Sequence, residues 1–163
     1  MRQIIPFAWL AIGGAFSTLC LGKGTIPLAT WLTPIFLLRF ARVTPPFAGL
    51  LSIWLVLLLA ASVSNRGVIP LSGFPYFGVV LIIAIALTLC YVADRLLAFQ
   101  FGGFASTLIF PLACVVVEFI NTRTGPFGSW GSMAYTQAGW VSRQPGAARN
   151  PYPTHTYEEA EQT

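Results

Sequence analysis

Five apolar runs, separated by short stretches rich in Gly, Pro, Asn or Arg, dominate the chain. They lie at residues 4–21, 26–40, 47–64, 77–92 and 101–120. A helix needs about 20 predominantly apolar residues to cross a bilayer, so most of these runs are near that length. The pattern predicts an all-α fold, a polytopic membrane helical bundle of about five transmembrane helices. Residues 1–140 form the expected transmembrane domain. From Val141 onward the chain is rich in Pro, Gly, polar residues and terminal acids, so residues 141–163 are expected to be a disordered tail.

Punctuation refines the pattern. The first run follows Arg2 and imitates a signal peptide, but no A-x-A-like cleavage site occurs near Ser17 to Cys20 and further spans follow, so it reads as a retained helix. GKGTIP, residues 22–27, is a tight connection in which Pro27 suits the first turn of the next helix. In the second run Pro34 is expected to introduce a kink, and Arg39 and Arg42 to close the segment. VIPLSGFPYFG, residues 68–78, argues against a straight helix and predicts a re-entrant or interfacial stretch. Asp94 and Arg95 read as an aqueous boundary, and Gly102, Gly103, Ala105 and Ser106 as a small-residue surface for close helix approach.

Composition agrees with the pattern. Of 163 residues, 56% are hydrophobic and 9% charged, with a mean hydropathy of +0.74. Soluble domains carry about 25% charged residues, so too few charges exist here to cover a water-facing surface. The net charge of +4 comes from single basic residues beside apolar runs, not from a patch, which excludes nucleic acid as a partner. Arg2, Arg39, Arg42 and Arg95 fall on one side of a five-span arrangement, Lys23, Arg66 and Arg123 on the other, with Arg143 and Arg149 in the tail. The bias favours a cytoplasmic N-terminus.

Candidate chemistry is sparse. Cys20, Cys90 and Cys114 lie in apolar runs without the spacing of a zinc site and read as small buried hydrophobes. The one histidine, His155, is isolated in the tail. No nucleophile-and-base arrangement can be assembled, and no cofactor or metal is expected. What stands out is EFINTRTGPFGSWGSMAYTQ, residues 118–137, where an acidic residue ends an apolar run and a Gly/Pro turn leads to Trp130, Tyr135 and Gln137. Glu118 is either a helix-end anchor or a ligand contact. Trp130, Tyr135 and Trp140 suit either an interfacial aromatic belt or a lipid-facing mouth.

Glu118, the Gly125-Pro126-Phe127 turn, Trp130 and Ala134-Tyr135-Thr136-Gln137 together resemble the outer-face motif of bacterial apolipoprotein N-acyltransferases. PLATWLTPIFLLRFAR, residues 27–42, is similar to an early Pro-Leu-Trp-rich helix of that family that ends in Arg. The resemblance implies an inner-membrane bundle carrying a nitrilase-like domain that transfers a phospholipid acyl chain to a lipoprotein's N-terminal cysteine through a Glu/Lys/Cys triad. It implies lipid or substrate docking at Glu118, Phe127, Trp130, Tyr135 and Gln137, and membrane phospholipid as a partner. The triad lies beyond the matching motif, so no catalytic residue is assigned. The chain is then expected to be a truncated or frame-shifted member, or half of a split protein whose catalytic nitrilase-like chain is separate, and inactive alone. A different class stays open: a small membrane structural or interaction protein with an aromatic anchor. A transporter subunit is weaker, because no pathway of paired ionisable groups crosses the spans.

Overall fold

The computed structural model of the protein describes residues 4–20, 26–69, 71–101 and 103–124. Those residues form five helices and no strand: α1 (Ile4–Cys20), α2 (Pro27–Val43), α3 (Pro46–Ser64), α4 (Phe74–Leu97) and α5 (Ala105–Thr124). Prolines start three of the helices, since a proline in the first turn gives up an N–H that has no helical partner there. The α2–α3 corner is short. Thr44 takes an extended conformation, donates its N–H to the Phe40 carbonyl at 3.1 Å, and Pro45 and Pro46 direct the chain into α3.

Helix limits depart from the expected ones where polar residues were read as boundaries. Helix α2 continues past Arg39 and includes Arg42, and Pro34 lies inside it. Gly73 adopts φ +72°, which glycine reaches without Cβ strain. Helix α4 starts directly after it, with Pro75 in its first turn, so this proline begins the helix instead of breaking it. The helix then runs through Asp94 and Arg95 to Leu97, five residues past the expected end at 92. Helix α5 begins at Ala105, after Gly103 at φ +65°, and continues through Pro111 to Thr124.

Helix α1 packs mainly on α2 and also on α3, α3 on α4, and α5 along α4. Phe36 stacks against Trp9 and Phe16, with ring centroids 5.6 and 5.7 Å away. Besides Gly49, whose Cβ would meet Thr44 Oγ1 at the α2–α3 corner, the described glycines pressed closest by a neighbouring helix are in α1, not at the start of α5. A Cβ on Gly13 would lie 2.6 Å from Leu37 Cδ2, and one on Gly14 2.7 Å from Val56 Cγ1, whereas Gly103 has nothing within 4 Å. The central core joins Leu37, Phe40 and Ala41 of α2 to Ile53 and Leu57 of α3 and Tyr91 of α4. Leu59, Ile82 and Val115 are exposed, and no residue of α5 is buried. Apolar exposure along whole helices is what a hydrocarbon solvent permits and water opposes.

Candidate functional site

Near the end formed by the α2 C-terminus, the α3 N-terminus and the α4 C-terminus, three charged residues interlock. Asp94 is only 1% exposed, and Arg42, 37% exposed, donates Nε to Oδ2 at 3.1 Å and Nη2 to Oδ1 at 2.7 Å. Its neighbour Arg95 donates Nη1 to the Ala41 carbonyl at 2.7 Å and Nη2 to the Thr44 carbonyl at 3.2 Å. Those carbonyls end α2, where helical N–H partners run out and a cation is favoured by the helix dipole. The Arg95 guanidinium also sits 5.1 Å from the Phe99 ring centroid. Asp94 and Arg95 therefore fasten α4 to the α2–α3 corner. They are not the loop boundary expected from sequence.

At the other end, the Tyr76 hydroxyl donates to the Ser62 carbonyl at 2.6 Å, and Ser64 Oγ to the Thr18 carbonyl at 2.8 Å. Asn65 Nδ2 donates to the Ala61 carbonyl at 2.9 Å, closing the end of α3. These bonds tie α4 and α1 to α3.

Between the two ends lies a cavity of about 50 Å³ lined by side chains from all five helices. Hydroxyls enter it from Ser17, Thr30 and Thr33, and thiols from Cys20, Cys90 and Cys114. Cys20 Sγ and Thr33 Oγ1 are 3.1 Å apart, and the Cys90 and Cys114 thiols interact across the α4–α5 contact. All three cysteines are free, and no group of three His, Cys, Asp or Glu among the described residues is arranged to hold a metal ion. Tyr91, packed at 4.9 Å on Phe110, completes the wall. Sequence reasoning treated the cysteines one at a time and missed this convergence. The available signal was small polar residues three apart within apolar runs: Ser17 with Cys20, and Thr30 with Thr33.

A second concavity, about 630 Å³ and open, runs between α4 and α5 on the outside of the bundle. Leu89, Ala93 and Leu97 line one wall, and Leu108, Leu112 and Val116 the other. The groove reaches Val117, the residue before Glu118.

Of the site residues expected from sequence, Glu118 alone is described. It is half-buried in the last two turns of α5, one turn beyond Cys114, and within electrostatic reach of Cys90 and Cys114. Its carbonyl accepts from Thr122 Oγ1 at 2.9 Å, and Arg123 lies over the Phe119 ring at 5.3 Å. Phe127, Trp130, Tyr135 and Gln137 lie outside the described residues, as does the expected tail.

The described residues thus form an all-helical protein in which three helices, α3, α4 and α5, are long and apolar enough to cross a membrane. Helix α1 is apolar but shorter, at 17 residues. No family model matches the chain, and no curated protein or solved structure matches it.

Proposed function

We propose that the protein is an integral membrane bundle that docks a phospholipid acyl chain in the α4–α5 groove, as the membrane domain of an apolipoprotein N-acyltransferase-like system. In this reading all five helices lie in a bacterial inner membrane with the N-terminus cytoplasmic. Gathering of Arg39, Arg42 and Arg95 toward one end of the bundle supports that orientation. The acyl-transfer step is assigned to a separate nitrilase-like chain. Among the described residues, no Glu, Lys and Cys form a triad: Lys23, the chain's one lysine, lies outside them, and each cysteine is inside a helix.

The observation that carries the docking role is the groove, a long apolar channel between two helices that reaches Val117 near the end of α5. Apolar surface of this shape gives an acyl chain more contacts than a convex helix face does. The test uses purified protein in phospholipid vesicles containing a phospholipid with a diazirine near the end of one acyl chain. Labels mapped by mass spectrometry are expected to concentrate several-fold on Leu112 and Val116 over the similarly exposed Leu59 and Ile82. Ala113→Phe, which fills the groove, is expected to abolish that excess. Equal labelling of the four positions would exclude docking and favour the alternative, a small structural or interaction protein.

A further inference from the structure

The outer face of α2 carries a pattern separate from the α4–α5 groove. Leu28, Trp31, Ile35 and Val43 recur at helical spacing and are all exposed, so they form an apolar stripe along the outside of the helix. Two guanidiniums sit at one end of that stripe. Arg39 is exposed, lies one turn from both Ile35 and Val43, and makes no hydrogen bond or ion pair with a described residue. Arg42 commits Nε and Nη2 to Asp94, which leaves the N–H groups of Nη1 without an acceptor among the described residues. The groups that could compete for these donors are already engaged. The Phe40 carbonyl accepts from Thr44, the Ala41 and Thr44 carbonyls accept from Arg95, and Asp94 is buried behind Arg42. Among the described residues, three arginines against one carboxylate leave this end of the bundle positive.

We propose that the outer face of α2 binds one anionic phospholipid, with its phosphate held between Arg39 and Nη1 of Arg42 and one acyl chain laid along Ile35, Trp31 and Leu28. Side chains three apart on a helix leave it about 5–6 Å from each other, so both guanidiniums reach a single phosphate, the anion their planar donors fit. The Asp94 carboxylate holds the Arg42 guanidinium through two hydrogen bonds, so that half of the site is already ordered before a lipid arrives. From Arg39 to Leu28 the helix rises about 16 Å. That is close to half of the about 30 Å hydrocarbon core, the depth that a chain from one leaflet occupies. A zwitterionic lipid offers the same phosphate but brings an ammonium group toward a positive end, which selects the anionic headgroup. The site shares no residue with the α4–α5 groove and stands whether or not the groove docks an acyl chain.

Photo-labelling of the full-length protein in phosphatidylcholine vesicles tests the proposal. The vesicles contain a trace of phosphatidylglycerol with a diazirine midway along one chain or, in a parallel sample, phosphatidylcholine with the same chain. Labelling of Ile35 is expected to be at least about fivefold higher with the phosphatidylglycerol probe, the factor that a single cation near an anionic headgroup supplies. At Leu59, similarly exposed on α3, the two probes are expected to label equally. Arg39→Gln breaks no contact among the described residues and is expected to bring the Ile35 ratio down to the Leu59 value. Arg66→Gln removes the same charge beyond the far end of α3 and is expected to leave the Ile35 ratio unchanged. Equal ratios at Ile35 and Leu59 in the wild-type protein overturn the proposal, whether or not a variant folds. An excess at Ile35 that persists in folded Arg39→Gln protein, or that Arg66→Gln removes as fully, also overturns it, since the preference then reflects the charge of the whole chain.

Discussion

Removing Arg42 is expected to be the most damaging single change at the α2–α3 corner, and more damaging than removing its partner. Arg42→Ala leaves the Asp94 carboxylate, 1% exposed, without the guanidinium that holds both its oxygens at 3.1 and 2.7 Å. Breaking a buried pair in this way costs about 3–5 kcal/mol. Asp94→Ala leaves instead a guanidinium already 37% exposed, which water or headgroups can reach. That loss is about 1–2 kcal/mol. Arg42→Met with Asp94→Leu removes both charges together and is expected to cost less than Arg42→Ala alone. Reversible unfolding in bicelles, followed by helical circular dichroism, gives the three differences. If the Arg42→Ala/Asp94→Ala double variant lost the sum of the two single changes within about 0.5 kcal/mol, the claim that the pair is coupled would be refuted.

Two other changes probe how the bundle is joined. Gly13→Leu puts a branched side chain where even a Cβ comes within 2.6 Å of Leu37 Cδ2, and is expected to cost about 1–3 kcal/mol by forcing α1 off α2; Gly103→Leu, with open space around its Cβ, serves as the steric contrast although its φ of +65° adds backbone strain, and an equal or larger loss there with none at Gly13 would contradict the packing. Arg95→Lys keeps the charge but not the fork that spans the Ala41 and Thr44 carbonyls, and is expected to lose about 1 kcal/mol, read as faster amide exchange at the end of α2.

The helices were legible because an apolar run leaves the backbone little choice: in hydrocarbon every N–H and C=O must be satisfied within the segment. Their ends were less so. Asp94 and Arg95 look like a charged boundary when only neighbours in sequence are considered, because nothing local says that a carboxylate at 94 meets a guanidinium at 42, 52 residues earlier. The same limit hid the cavity. Ser17, Thr33 and Cys114 pass for small residues in apolar runs, and only the packing of α1 on α2, and of α2 and α5 on α4, brings them to one place. Pro75 misled for a different reason. A proline interrupts a helix from within but begins one when it falls in the first turn, and Gly73 at φ +72° decides which applies. Glu118 stands out in the sequence as an ionisable residue in an apolar run, and the structure adds that it is half-buried in the last two turns of α5, one turn beyond Cys114.

Helix α5 separates these two spaces. Phe110 and Cys114 face the cavity, while Leu108, Leu112, Ala113, Val116 and Val117 face the groove. None of its residues is buried, and among the described residues its packing is along α4. A wall held mainly from one side moves at less cost than one enclosed by several helices, since fewer contacts are broken. Filling the groove with Ala113→Phe is therefore expected to abolish acyl labelling while leaving the helical circular dichroism of the bundle unchanged, because the added ring enters an open groove and displaces no buried residue of α5. Loss of the helical signal in that variant would refute the argument, since α5 would then do more to hold the bundle together than its packing along α4 implies.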